Sequence, residues 1–137
     1  MTAPVAVCGN PTSPGTIRLT IPIRTISEAN AHTHWRVRAK RAKEQRGIAA
    51  MMLRAVMACR IAPPFVVTIT RISPRTLDSD NLAGSQKHIR DGLADQLQIN
   101  DADPRVEWRY AQEKGTGYAV RIEIHVQQFA PTEGEAP

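Results

Sequence analysis

Residues 65–97 read FVVTITRISPRTLDSDNLAGSQKHIRDGLADQL, and this stretch decides the fold class. Phe65 to Ile72 is rich in Val, Ile and Thr and apolar on both faces, which predicts a central strand. Ser73-Pro74 ends it. Leu82 to Leu97 carries Ile89, Leu93 and Leu97 at four-residue spacing, which predicts a single helix. Asp80 or Asn81 is its expected N-cap.

On the N-terminal side, Trp35 to Cys59 has no proline and only one glycine, so a long helix is expected there. Ile48, Met52, Ala55, Val56 and Cys59 give its second half an apolar face. Its first half carries Arg36, Arg38, Lys40, Arg41, Lys43 and Arg46 and almost no large apolar residue. Pro63-Pro64 stops it. Before it, Ile17, Leu19, Ile21 and Ile23 alternate with polar residues, a strand that Pro22 confines to an edge or ends early. Beyond the second helix, Ile99 to Pro104 reads as a turn. Val106, Trp108 and Tyr110 form a third alternating strand. Lys114 to Gly117 reads as a turn closing a hairpin with Tyr118 to Val126. The expected order is β-α-β-α-β-β, an α/β (α+β) domain with a small mixed sheet and two helices. Residues 1–15 read as a flexible lead-in, 16–127 as one domain and 128–137 as a disordered tail.

The chain has 137 residues, with 18 Lys+Arg against 13 Asp+Glu. That length suits one domain with a real core. Two cysteines, Cys8 and Cys59, are too few for a disulfide scaffold or a cysteine-rich zinc site. No apolar run approaches the roughly 18 residues of a membrane span, and Met1 to Asn10 lacks the pattern of a signal peptide. A cytoplasmic protein is the expectation. Residues 1–61 carry ten bases and two acids, and the remainder eight bases and eleven acids. The first part is thus +8 and the second −3, an asymmetry that suits a polyanion, nucleic acid above all. Arg outnumbers Lys fourteen to four, and arginine favours bidentate phosphate contacts.

Acids crowd in two places. Asp78 and Asp80 lie two apart, just beyond the central strand, where extended backbone would point both to one side. Asp101 and Asp103 lie in the turn after the second helix. That helix is about 24 Å long at 1.5 Å per residue. The clusters therefore meet only if it crosses back over the sheet or if subunits pair. Three or four carboxylates from two loops suit Mg²⁺ or Mn²⁺, ions that serve phosphodiester cleavage. Singly, each acid also has a structural reading, as a helix cap or a turn former. Lys87 lies seven residues beyond Asp80, about 20° short of two full turns, and so on the same face of a continuous helix.

Asp78-Ser79-Asp80-Asn81-Leu82, then Gln86-Lys87, Asp91-Gly92-Leu93 and Asn100-Asp101, resemble the RusA family of Holliday junction resolvases. These are small, homodimeric, Mg²⁺-dependent endonucleases that cut four-way DNA junctions by paired nicks, and many are carried by prophages. The resemblance spans residues 16–127 in element order and is most specific over 75–104. It implies that Asp78, Asp80 and Asp101 are catalytic and bind metal, with Asp103 in support and Lys87 as the catalytic lysine. It further implies a homodimer acting on branched DNA, with no small-molecule cofactor and no membrane. Arg36, Arg38, Lys40, Arg41, Lys43, Arg46 and Arg75 would bind DNA. Asn30, His32, His34 and Trp35 occupy the region where the family approaches its substrate. The sequence departs from the pattern at Asn100, where an aspartate is usual, and by three extra residues, Ala83-Gly84-Ser85. An inactive DNA-binding module of the same fold is the alternative.

Overall fold

A computed structural model describes residues 15–26, 34–57 and 61–126. The expectations for residues 1–14 and the tail, and for Cys8, Asn30, His32 and Cys59, lie outside these residues. The elements are β1 (Gly15–Ile21), α1 (Trp35–Val56), β2 (Phe65–Ser73), α2 (Ser79–Ser85), α3 (Lys87–Leu97), β3 (Val106–Lys114) and β4 (Ala119–Val126). The fold is mixed α+β, with four strands and three helices rather than two among the described residues.

The sheet order is β1-β4-β2-β3, with β1 at one edge. The strand β1 stops one residue before Pro22, which has no N–H to donate to a ladder. The apolar strand β2 lies inside the sheet, parallel to β3 and antiparallel to β4. This corrects the expected hairpin: β3 and β4 do not pair, because β2 runs between them. Two strand spacings are about 9.6 Å, which the four residues 115–118 can cross at about 3.3 Å each. An alternating pattern on either side of a short turn does not say whether a third strand is inserted.

The expected single second helix is also corrected. It begins at Ser79, three residues earlier than expected, and is broken at Gln86 (φ −100°, ψ 3°). The cap is Asp78, whose Oδ1 accepts from Asn81 N at 3.0 Å, not Asp80 or Asn81. The Gln86 amide is wholly buried and donates to Thr25 Oγ1 at 3.1 Å, so tertiary bonding holds the break.

Both β1 and β2 run antiparallel to β4 and hence parallel to each other. The returns through α1, and through α2 and α3, therefore begin at the carboxyl ends of β1 and β2. Helices α1 and α3 meet at Gly92, where an added Cβ would fall 2.2 Å from the Arg46 carbonyl oxygen. Ala49 and Leu53 of α1 and Ile89, Leu93 and Leu97 of α3 share one core with Ile17, Val67, Ile69 and Ile122 of the sheet.

Candidate functional site

In parallel crossovers the chain emerges at the carboxyl ends of the strands, which is where ligands of open α/β sheets bind. Here that end is built around a cation. Arg71 is the one charged residue of β2 and is buried. Its guanidinium donates to Thr25 O (3.3 and 3.4 Å), Ser73 Oγ (2.7 Å) and Arg75 O (2.9 Å). The Ser73 hydroxyl also donates to Arg75 O. One side chain thus ties the segment after β1 to the segment after β2. Burial lowers its pKa from the ordinary guanidinium value, and Arg24 adds to the effect while Tyr118 opposes it. Gln112 of β3 completes the frame: its amide donates to Leu77 O at 2.6 Å and accepts from Leu77 N at 2.8 Å. The residue before Asp78 is therefore held on both sides of its peptide.

Asp78 and Asp80 stand on this frame, both exposed. They do not share an extended segment. Asp78 is extended (φ −70°, ψ 169°), whereas Asp80 lies in the first turn of α2. One Asp78 oxygen serves the cap, and the Asp80 carboxylate has no hydrogen bond or ion pair among the described residues. Lys87 opens α3 rather than continuing α2, so the phase predicted for an unbroken helix does not apply. Its Nζ lies 3.1 Å from Asp91 Oδ2.

Asp101 and Asp103 belong to the other end of β3. The Asp101 carbonyl accepts from Arg90 Nη2 at 2.8 Å and from Trp108 Nε1 at 3.1 Å, and its carboxylate lies 3.7 Å from Arg90 Nε. The Arg90 guanidinium lies over the Trp108 ring at 4.7 Å and donates to Tyr110 Oη at 2.8 Å. Asp103 takes both Nε (3.1 Å) and Nη2 (2.9 Å) of Arg105 and caps its backbone N–H. These bonds hold the Asp103 pKa below the usual carboxylate value. Asn100 Oδ1 accepts from Ala102 N, an Asx turn. Among the described residues, no three His, Cys, Asp or Glu side chains converge as a metal-binding group. A cleft of about 440 Å³ at this turn is lined by Ile61, Pro63, Leu97 and Ile99 together with Asn100, Asp103 and Arg105. It lies at the amino end of β2, away from Asp78 and Asp80.

The basic front of α1 starts at the same carboxyl end as Asp78 and Asp80. His34 caps it, its Nδ1 accepting from Arg36 N at 3.1 Å. Arg36, Arg38, Lys40 and Lys43 are exposed, and Arg41 is half-buried. Arg46 is different: its guanidinium grips Asp95 of α3 at 2.6 and 2.9 Å, which lowers the Asp95 pKa.

Arg71 and Gln112 escaped the sequence reading. The one signal for Arg71 was a charge in a strand apolar on both faces. Gln112 gave none. No helix among the described residues is long and apolar enough to cross a membrane. No model of a known protein family matches the sequence, and no curated protein matches it.

Proposed function

We propose that this chain is a divalent-cation-dependent endonuclease of the RusA resolvase type, acting on branched DNA such as a four-way junction. The observation that carries the reading is two exposed carboxylates, Asp78 and Asp80, at the carboxyl end of β2, where the basic front of α1 also begins. Mg²⁺ commonly takes one or two carboxylates and fills its remaining positions with water and substrate phosphate. Two exposed aspartates beside a phosphate-binding surface fit that requirement, and Mn²⁺ fits the same donors. Such an ion, when bound, neutralises charge on the phosphate and activates a water.

The chain's own groups do the rest. Arg36, Arg38, Lys40, Arg41 and Lys43 bind DNA phosphates, with Arg75 on the loop before Asp78. Lys87, held by Asp91, supplies a positioned ammonium for charge developing at the phosphorus. Arg71 and Gln112 fix the loop that carries Asp78. Paired nicks require two active sites, so the reading includes a homodimer. Asp101 and Asp103 join the metal set only across that dimer or after a shift of the 98–105 loop.

A second reading is a DNA-binding module of the same fold without nuclease activity. The grip of Arg105 on Asp103 favours it, because that carboxylate is already occupied.

The test is a labelled four-way junction beside a matched linear duplex, with Mg²⁺, Mn²⁺ or EDTA, using the unaltered protein and Asp80→Asn. Paired nicks in the junction alone, lost with EDTA and with Asp80→Asn, support the resolvase. Junction binding without nicks in either metal supports the binding module. Undiminished cleavage by Asp80→Asn overturns the assignment of the site.

A further inference from the structure

Helix α1 outruns the core. Trp35, Arg38, Ala42, Gln45, Ala49, Leu53 and Val56 are spaced three or four residues apart and so form one stripe. The stripe is buried at Gln45, Ala49 and Leu53, facing the sheet and α3. Gln45 comes ten residues after Trp35, so about 15 Å of helix precedes the first buried side chain. Over that length Ala42 is half-buried, Arg38 is exposed and Trp35 is 61% exposed. An indole on the inward side of a helix, with no core of the described residues over it, needs a reason.

Its surroundings are cationic and planar. The Arg36 guanidinium lies over the Trp35 ring at 5.3 Å, and the His34 ring stacks on it at 5.7 Å and 28°. Arg38, Lys40 and Lys43 make no ion pair with an acid among the described residues, and no acid lies in the first turn. Val37 and Met51, the other large exposed apolar residues of α1, lie on other faces of the helix, and the neighbours of Trp35 on its own face are Arg38, Ala39 and Ala42, none of them a large apolar residue. A lone exposed aromatic beside Arg38, Lys40 and Lys43, which pair with no acid among the described residues, complements a partner that is both polyanionic and ring-bearing. Single-stranded nucleic acid is that partner, since bases stack on aromatic side chains while phosphates lie along the basic groove.

We propose that Trp35 is a stacking platform for an unpaired DNA base, which gives the surface a preference for strands opened at a branch over intact duplex. The proposal rests on the DNA-binding part of the proposed function and deepens it, and needs no catalysis. Stacking on one base is worth about 1–3 kcal/mol, or roughly 5- to 150-fold in affinity.

The chain has two tryptophans, and Trp35→Phe leaves Trp108 as an internal control. The experiment titrates a single-stranded thymidine 15-mer and a matched 15-bp duplex, reading tryptophan emission and anisotropy over a salt series. The expected result is quenching by the single strand that is absent in Trp35→Phe. Trp35→Ala loses at least about tenfold in single-strand affinity, Trp35→Phe loses less, and duplex affinity hardly changes. Two results overturn the platform: unchanged single-strand affinity in Trp35→Ala, or equal quenching by the duplex. A concentration-dependent blue shift without DNA, abolished by Trp35→Ala, also overturns it and assigns the ring to self-association. If the unaltered protein binds neither DNA at low salt, the DNA-binding reading itself fails. Binding that is indifferent to Trp35 sinks the platform alone.

Discussion

Asp78 and Asp80 have the same spacing as Asp101 and Asp103, and the fold treats the two pairs in opposite ways. The first pair stands exposed on a loop clamped from behind by Arg71 and Gln112, and its carboxylates meet no cation among the described residues. The second pair faces arginines, Arg90 near Asp101 and Arg105 against Asp103. Spacing alone therefore says little about an acid pair. The difference lies in what holds the backbone: a frame that leaves the carboxylates outside, or a turn that uses them as its own ties. An acid whose oxygens already serve a guanidinium has fewer lone pairs left for a metal, and the neighbouring cation opposes a second one.

The comparison breaks most sharply at activity. Asp80→Asn should lower junction cleavage by at least about 100-fold, the scale on which losing one transition-state contact is felt. Asp103→Asn should cost less than about threefold, because its carboxylate serves Arg105. Both should keep junction binding, and Asp80→Asn, at an exposed position, should stay within about 0.5 kcal/mol in stability by urea unfolding. Comparable losses of cleavage in the two variants would erase the distinction between the pairs.

Arg90→Ala sharpens it next, through stability. The guanidinium joins α3 to the Asp101 carbonyl, the Tyr110 hydroxyl and the Trp108 ring. Hydrogen bonds from a charged donor and a cation–π contact together suggest a loss of about 2–3 kcal/mol. Faster amide exchange should appear across residues 98–105. The loop bearing Asp78 should keep its protection, since Arg71 and Gln112 hold it. Loosening at both loops would mean that the two ends are not independently built.

Much of this contrast was hidden in the sequence for identifiable reasons. The strands were legible because Val, Ile and Thr runs and strict alternation report burial directly. The long α1 was legible from its composition, and its basic front from the charge count. The neighbour of a strand is a different matter: nothing between Lys114 and Tyr118 records that β2 lies between β3 and β4. The break at Gln86 was invisible too. The local spacing of Ile89, Leu93 and Leu97 continues smoothly, while the break depends on a bond to Thr25, 61 residues away. The extended picture of Asp78 and Asp80 failed for a related reason. The cap bond to Asn81 draws the chain into a helix one residue after Asp78, so Asp80 starts a turn rather than continuing a strand.

A cap can be separated from a carboxylate by choosing the replacement. Asp78→Ala removes both and should cost about 1 kcal/mol of stability along with cleavage. Asp78→Ser keeps a capping oxygen and removes the charge. It should restore most of the stability, as read by thermal unfolding, and none of the cleavage. Recovery of cleavage in Asp78→Ser would confine Asp78 to the structural role and leave Asp80 as the one carboxylate of the pair that matters.

The smallest effect separates the pairs by acid. Arg105 holds the Asp103 pKa below its unfolded value, so the folded state binds that proton less readily than the unfolded chain. The ion pair's contribution is therefore fully present above the ordinary aspartate pKa of about 3.9 and is lost as pH falls through the depressed folded value. Asp95, held by Arg46, has a depressed pKa of the same sign and responds in the same window. Replacing Asp103 with Asn should flatten the acid limb of a stability–pH profile between about pH 5 and pH 2. Arg105 is exposed and Asp103 half-buried, so solvent screens the pair, and the change should be small and should shrink further in high salt. An acid limb indifferent to Asp103→Asn at low salt would mean that Arg105 does not hold the carboxylate in solution. Asp103 would then be as free as Asp80 to meet a metal ion, and the contrast between the two pairs would rest on Asp101 alone.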